Sequence, residues 1–130
     1  MMELGEYLRA RRPAWDWQTH DCSRWLDRWL VLRGHASAME ATGIAYDSER
    51  SAARVIVRGG GLLSLWQRGM EAIGLAVVDE PQMGDAAILS APTDDGHNRT
   101  TGIWTGQRWA SVHRHGLICA PGDPLMIWRV

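Results

Sequence analysis

The spacing of the apolar residues changes once along the chain, close to Gly74, and this change limits the possible folds more than any other feature. Before Gly74, apolar residues recur at intervals of three and four, as on one face of an amphipathic helix. After it, short β-prone runs alternate with Gly, Pro and Asp turns. Helices first and strands afterwards are typical of an α+β domain and not of βαβ alternation. A length of 130 residues without a linker or repeat predicts one domain spanning residues 1 to 130.

The spacing predicts four helices in the first part of the chain. The first covers residues 3 to 11 and ends before Pro13. The second follows Asp21, a good N-cap, and extends to about Arg33, before Gly34. The third and fourth cover residues 48 to 58 and 62 to 73. Six strands are predicted afterwards, at residues 75–78, 86–89, 100–105, 109–113, 117–119 and 126–130.

Composition and charge exclude several classes of function. The formal net charge of −1 gives no general electrostatic reason to bind nucleic acid, so we expect no nucleic-acid partner. No run of about 18 apolar residues occurs, so we expect no membrane span. The N-terminal stretch MMELGEYLRARRP lacks the apolar region of a signal peptide, so we expect no signal peptide and synthesis in the cytoplasm. We expect neither a cofactor nor a metal ion, and GGG at residues 59–61 lacks the Lys-Ser/Thr of a phosphate loop.

Cys22 occupies the position with the strongest chemical signal. In the segment HDCSRWLDRWL, residues 20–30, it opens the apolar face of the predicted helix, together with Trp25, Leu26 and Trp29. A helix N-terminus presents unpaired backbone N–H groups and lowers the pKa of a nearby thiol, which is how nucleophilic cysteines arise. A cysteine at this position is also an ordinary small core residue. Cys22 is therefore a candidate nucleophile, provided that the chain supplies a base.

Three segments resemble those of NlpC-type cysteine peptidases, which belong to the papain-like superfamily. HDCSRWLDRWL is similar to their nucleophile segment, in which an aspartate precedes the cysteine and an apolar-faced helix follows. QMGDAAIL, residues 82–89, is similar to their Gly-Asp turn and central strand, and TTGIWTGQRWASVH, residues 100–113, to the next strands. The resemblance implies a papain-like fold with N-terminal helices packed on an antiparallel, partly curved sheet. Asp85 is interpreted as a turn residue after Gly84.

A closer resemblance is to small NlpC-like proteins encoded among the tail genes of phages and prophages. The shared features are the His-Asp-Cys start, the glycine-rich RGGGLLSLW, the late strand HGLICAP and the terminal MIWRV. Their order covers the chain from Trp15 to Val130. The resemblance implies a tail-tip, or baseplate, component of the virion tail, made in the host cytoplasm, with other tail-tip proteins as its partners.

The chain departs from the peptidase pattern at the position of the catalytic base. Where active members carry the base histidine, this chain has Thr100, and threonine does not take a proton near neutral pH. His113 falls one residue beyond the third polar position, so it is a candidate base or orienting residue. His97 lies three residues before Thr100 and is a weaker candidate base, which requires its loop to fold back. His20 lies just outside the helix, and we expect its side chain not to face the thiol.

The resemblance and the departure together leave three functional hypotheses. The first is a tail-tip component whose NlpC-like scaffold serves mainly structure and assembly, with a degenerate peptidase site. The second is an active cysteine peptidase that cleaves host peptidoglycan peptides during phage entry, with Cys22 as the nucleophile. The third is a free-standing bacterial binding module unrelated to phages.

The aromatic composition is unusual, with eight Trp, two Tyr and no Phe. We expect tryptophan to fill most of the core positions that phenylalanine otherwise takes. Tryptophan is also favoured at protein–protein interfaces. We therefore expect at least one of four tryptophans to contact another chain in an assembled tail: Trp15, Trp17, Trp104 or Trp109.

Overall fold

A computed structural model describes residues 3–10, 12, 14–119 and 122–130. Pro13, which was expected to end the first helix, lies outside these described residues. The helices are α1 (Leu4–Arg9), α2 (Cys22–Leu32), α3 (Ala38–Thr42), α4 (Glu49–Arg58) and α5 (Leu62–Ala72). Within the described ranges, no helix combines the length and the apolar character that a membrane crossing requires.

All of the strands follow the helices, so the α+β prediction is confirmed. They are β1 (Val77–Val78), β2 (Ala86–Ser90), β3 (Arg99–Trp104), β4 (Trp109–His113), β5 (Gly116–Ile118) and β6 (Asp123–Trp128). They form one six-stranded sheet in the order β1-β6-β2-β3-β4-β5, and every neighbouring pair is antiparallel. Because β3 and β4 are antiparallel, the start of β3 and the end of β4 lie at the same end of the sheet.

Helix α2 contributes the central residues of the hydrophobic core. Its apolar face is fully enclosed, since Trp25, Leu26, Trp29 and Leu30 are each 0% exposed. Asp21 caps the helix as predicted, accepting hydrogen bonds from two backbone N–H groups of the first turn. The three-and-four spacing therefore identified both the helix and the face that packs against the sheet.

Tryptophan takes core positions, as expected from the absence of phenylalanine. Trp25, Trp29, Trp66 and Trp128 are among the largest fully buried side chains. Trp109 is also buried, whereas three other tryptophans remain partly exposed: Trp15, Trp17 and Trp104. Contact of any of these with another chain remains a prediction.

Helix α3 was not predicted, because a five-residue helix carries no readable periodicity. Its start is fixed by a carboxylate from another helix. Asp27 of α2 accepts hydrogen bonds from the backbone N–H groups of Ala38, at 2.8 Å, and Met39, at 3.2 Å. The helix then packs closely on α5, where a Cβ on Gly69 would lie 3.1 Å from that of Ala38. Both contacts join segments distant in sequence, so the local pattern did not reveal them.

Strand β6 begins three residues earlier than predicted, at Asp123 in place of residue 126. Asp123 and Pro124 indicated a turn, since proline cannot donate a ladder hydrogen bond. The proline is tolerated because β1 pairs only with residues 127 and 128 of β6. At Pro124 the strand therefore has a neighbour on one side only, and a bulge in its pairing with β2 lies beside it.

Asp85 is a turn residue before β2, as interpreted, but it also anchors the end of the chain. The residue is 1% exposed, and its carboxylate accepts hydrogen bonds from the backbone N–H groups of Gln82, at 2.8 Å, and Val130, at 3.0 Å. Arg129 forms an ion pair with the same carboxylate at 2.9 Å. A buried carboxylate needs such partners, so Asp85 holds the residues after β6 against the start of β2.

We predict that Asp85→Ala lowers the free energy of unfolding by about 3 kcal/mol, because it leaves two partly buried N–H groups without their acceptor and the Arg129 guanidinium without its ion-pair partner. Denaturant unfolding followed by circular dichroism measures the change. Asp79→Ala, an exposed carboxylate in the same region, is the matched control, with an expected change within about 0.5 kcal/mol. Equal effects of the two substitutions would contradict the anchoring role.

Candidate functional site

Cys22 is the first residue of α2, and the Asp21 carboxylate occupies the helix terminus beside it. One carboxylate oxygen of Asp21 accepts hydrogen bonds from the backbone N–H groups of Ser23, at 2.9 Å, and Arg24, at 3.1 Å. These N–H groups are the donors that a helix start would otherwise offer to a thiolate. The cap therefore takes up the groups that were expected to activate Cys22.

The same carboxylate also binds two side chains. The Tyr46 hydroxyl donates a hydrogen bond to it at 2.6 Å, and the Arg24 guanidinium forms an ion pair with it at 2.6 Å. Burial and the neighbouring Asp21 carboxylate raise the pKa of the Tyr46 hydroxyl, so this group remains a donor. Asp21 itself is only 1% exposed, so its charge is compensated entirely within the protein.

Arg24 ties three segments together around the start of α2. Its guanidinium donates hydrogen bonds to the carbonyl oxygens of Trp17 and Tyr46, the latter at 2.6 Å. It also lies 4.3 Å from the centroid of the Tyr46 ring, in a cation–π contact. Trp17 packs edge-on against Tyr46, with ring centroids 6.3 Å apart. These contacts fix the segment that carries Trp15 and Trp17.

Two threonines at the start of β3 surround Cys22 on the other side. The Thr101 hydroxyl donates a hydrogen bond to the Cys22 carbonyl oxygen at 2.7 Å. The hydroxyls of Thr100 and Thr101 and the Thr101 backbone N–H also lie close enough to the thiol to lower its pKa. Thr100, which the resemblance placed at the base position, therefore lies in contact with the candidate nucleophile.

The Cys22 thiol is not activated. Burial raises the pKa of the Cys22 thiol above its ordinary value, and the adjacent Asp21 carboxylate raises it further. The hydrogen bonds from Thr101 and Thr100 lower the pKa, but burial is the larger effect. The pKa of the thiol is therefore raised overall by burial, and the Asp21 cap contributes because it takes up two of the backbone N–H groups and adds a negative charge.

A cavity of about 310 Å³ opens beside the thiol. Its walls come from the start of α2, the start of β3, the end of β4, and the loop between β2 and β3, residues 91–98. The lining includes Cys22, Thr100, Trp15 and Trp17. Charged groups of both signs also line it, so the cavity suits a ligand that has polar and apolar parts.

The structure brings only one of the candidate histidines to this cavity. His113, at the end of β4, lines it and is partly exposed. His97 is exposed in the 91–98 loop and is not among the lining residues, although its neighbours Asp94 and Asp95 are. No hydrogen bond within the described ranges joins either imidazole to the Cys22 thiol, and no histidine contributes to the shift of its pKa.

His20 is separate from the thiol, as expected. It is 2% exposed, and its Nδ1 lies 3.4 Å from the Arg28 guanidinium. Burial lowers the pKa of His20, and the charge of Arg28 lowers it further, so the ring stays neutral. His20 therefore stabilises the structure before α2 and takes no part in the cavity.

Sequence reasoning missed two residues of this site, Arg24 and Tyr46. Arg24 had a readable signal, since it stands three residues after Asp21, at a spacing that brings side chains of a helix together. Tyr46 had none, because it lies in a loop 25 residues away from Asp21 in sequence. Among the described residues, no group of three or more potential metal ligands is present.

We predict that Asp21→Ala lowers the free energy of unfolding by about 3 kcal/mol, because it removes a helix cap, the acceptor of the Tyr46 hydroxyl and the ion-pair partner of Arg24. Thermal or denaturant unfolding measures the loss. Ser48→Ala is the control, since Ser48 caps α4 in an exposed position, and its expected cost is about 1 kcal/mol. A loss for Asp21→Ala no larger than that for Ser48→Ala would show that Asp21 acts only as a cap.

Comparison with known proteins identifies the family but no function. The family model described as Domain of unknown function (DUF6950) matches residues 2–130, so the chain belongs to that family. No curated protein and no solved structure matches the chain significantly. Function must therefore be inferred from the residues and geometry around Cys22.

Proposed function

We propose that this member of the family is a small phage or prophage tail-tip component, in which an NlpC-like, papain-type scaffold serves assembly and does not hydrolyse peptides. The scaffold assignment is supported by the order of the motifs from Trp15 to Val130. The position of Cys22, at the start of a buried helix that packs on an antiparallel sheet, is compatible with it.

The loss of activity is supported by one observation: threonine hydroxyls, and not an imidazole, contact the Cys22 thiol. Peptide hydrolysis by cysteine needs a base that takes the thiol proton and later protonates the leaving amine. A threonine hydroxyl does neither near neutral pH. The raised pKa of Cys22 acts in the same direction, since the thiolate is the nucleophile.

The assembly role is supported by the exposed aromatic surface. Trp15, Trp17 and Trp104 are each partly exposed, although the other described tryptophans of α2, α5 and β6 are enclosed. Large aromatic side chains that remain on the surface are favoured at protein interfaces. Under this proposal the partners are other tail-tip proteins, and the protein resides in the virion tail.

One observation favours a second candidate function, an active peptidase that cleaves host peptidoglycan peptides. His113 lines the same cavity as Cys22, at the end of the strand next to Thr100. A rearrangement on substrate binding that brought the His113 ring to the thiol would supply a base. Catalytic hydrogen bonds are often longer before the substrate binds, so this candidate is also tested.

Two variants of the phage or prophage that carries the gene test the proposal. We predict that deletion of the gene prevents assembly of complete tail tips, whereas Cys22→Ala leaves tail morphology, infectivity and peptidoglycan digestion unchanged. Electron microscopy, plaque counts and release of muropeptides measure these effects. The control is Cys119→Ala, which replaces the exposed cysteine.

Two outcomes would contradict the proposal. Loss of peptidoglycan digestion in Cys22→Ala, with tails still assembled, would establish the peptidase. Complete and infectious tails after deletion of the gene would exclude an assembly role. Location of the gene away from tail genes would favour the third hypothesis, a free-standing bacterial binding module.

A further inference from the structure

We propose that the outer face of α4 is an interaction surface for an acidic segment of another protein, whose carboxylates pair with the guanidinium groups of Arg50, Arg54 and Arg58. The inference rests on the proposed assembly role, because it names the chemistry of the tail-tip protein that binds this face. It uses neither the Cys22 thiol nor the cavity beside it, and its binding test needs no phage, so the two proposals can fail separately.

Three arginines form a row along α4. Arg50, Arg54 and Arg58 follow one another at intervals of four residues, so their side chains lie on the same face of the helix. With a rise of about 1.5 Å per residue, neighbouring members stand about 6 Å apart along the axis, and the row is about 12 Å long. All three are exposed, whereas Ala52, on the opposite face, is buried. The helix therefore turns this arginine row to the outside of the molecule.

The arginine row has no partner within the protein. Throughout the part of the chain that the structure describes, none of the three guanidinium groups takes part in a hydrogen bond or an ion pair. The only acidic residue of α4 is Glu49, and the ion-pair partner of its carboxylate, at 3.8 Å, is Arg114 in the turn after β4. The three charges of the row are therefore available to an anionic partner.

The arginine row does not stabilise α4. Positive charges four residues apart on a helix repel each other, and the row contains two such pairs. Arg50 also lies in the first turn, at the positive end of the helix dipole, where a cation is unfavourable. Only Arg58 lies in the last turn, where a cation is favourable. Carboxylates bound along the row relieve this repulsion, so the free protein carries a cost that binding removes.

The chemistry of this face favours a protein as the partner. The chain has 14 arginines and no lysine. A planar guanidinium binds a carboxylate through two parallel hydrogen bonds and is enriched at protein interfaces, where lysine is depleted. Val57, which is 69% exposed, lies on the same face, three residues after Arg54. Arginines next to an exposed apolar side chain are typical of a protein interface.

A membrane or a nucleic acid fits this face less well. A basic helix on a membrane inserts its apolar face, but in α4 that face is used within the protein, where Ala52 is buried and Ile56 packs against the core. Nucleic-acid sites combine a basic surface with aromatic rings for stacking, whereas this chain has a formal net charge of −1 and α4 has no aromatic residue. A partner helix with Asp or Glu at every fourth position presents carboxylates about 6 Å apart and matches the row.

The arginine row begins next to two of the exposed tryptophans that support the assembly role. Glu49, directly before Arg50, lines the cavity beside Cys22 together with Trp15 and Trp17. Both tryptophans are partly exposed. The start of α4 and the segment of Trp15 and Trp17 therefore border on one cavity, and a single partner can contact the aromatic side chains and the row together.

A titration with matched peptides tests the surface. The probes are an alanine-based helical peptide with glutamate at every fourth position and its counterpart with glutamine at those positions, and binding to the full chain is followed by NMR of the arginine Nε–H groups. We expect the glutamate peptide to bind with a Kd on the order of 1 mM, at least about tenfold more tightly than the glutamine peptide. Added NaCl should weaken the binding, because the arginines are exposed.

One substitution separates binding from stability. Arg54→Glu places a negative charge in the middle of the row and is expected to weaken binding of the glutamate peptide at least about tenfold. It also replaces two repulsive contacts, with Arg50 and Arg58, by attractive ones, so we expect the unfolding midpoint of the free protein to rise by about 2 °C. The control is Arg108→Glu, which reverses an exposed charge in the turn between β3 and β4 and should leave the affinity unchanged.

The same substitution identifies the partner in the phage. Arg54→Glu is expected to lower incorporation of the protein into tails, and selection for restored infectivity is expected to yield a change of Asp or Glu to Lys or Arg in a second tail-tip protein. If tails remain complete after deletion of the gene, the assembly role fails, whereas the peptide titration still decides whether the arginine row binds carboxylates.

Four results would overturn the inference. The first is equal affinity for the two peptides, or no binding of either up to about 10 mM. The second is unchanged affinity in Arg54→Glu. The third is binding of duplex DNA or of phosphatidylglycerol vesicles, lost in Arg54→Glu, without binding of the glutamate peptide, which would assign the row to a nucleic acid or a membrane. The fourth is a dimer of the wild-type chain that Arg54→Glu dissociates, which would assign the row to a second copy.

Discussion

The buried carboxylate of Asp21 accepts four hydrogen bonds, from the N–H groups of Ser23 and Arg24, the Tyr46 hydroxyl and the Arg24 guanidinium. A charge that is 1% exposed is tolerated only because all of these donors converge on it. Asp21 joins the start of α2 to the loop of Tyr46, and its partner Arg24 binds the carbonyl oxygen of Trp17 in turn. The walls of the cavity next to Cys22 therefore depend on a contact that is not itself part of the cavity.

The same carboxylate also affects the pKa of the neighbouring thiol. A helix start activates a cysteine when its free N–H groups and positive potential act on the sulfur. Here burial raises the pKa of the thiol, and the cap raises it further because it places a carboxylate next to Cys22. The threonines of β3 lie beside the sulfur and lower its pKa, but a hydroxyl does not take its proton near neutral pH. Cys22 therefore lies at a helix start, where nucleophilic cysteines occur, but its surroundings do not stabilise a thiolate.

Local patterns predicted most of the secondary structure but little of the site. Trp25, Leu26 and Trp29 were assigned to a buried helical face from spacing alone, because that spacing directly reflects helix geometry. Helix α3 was missed because Asp27 of another helix fixes its start, and β6 was misplaced because the tolerance of Pro124 depends on how short β1 is. The contact of Tyr46 with Asp21 likewise joins distant segments, and no periodicity encodes such contacts.

The pH dependence of Cys22 alkylation tests most directly whether the site is an inactive one. The measurement uses Cys119→Ser, so that Cys22 is the only thiol, with iodoacetamide and mass spectrometry at each pH. A thiol with a raised pKa is expected to react very slowly near neutral pH, and its rate should rise about tenfold per pH unit beyond the ordinary thiol pKa without a plateau. A rate that is already fast and constant by about pH 6 would reveal a thiolate paired with an imidazolium and would contradict the account.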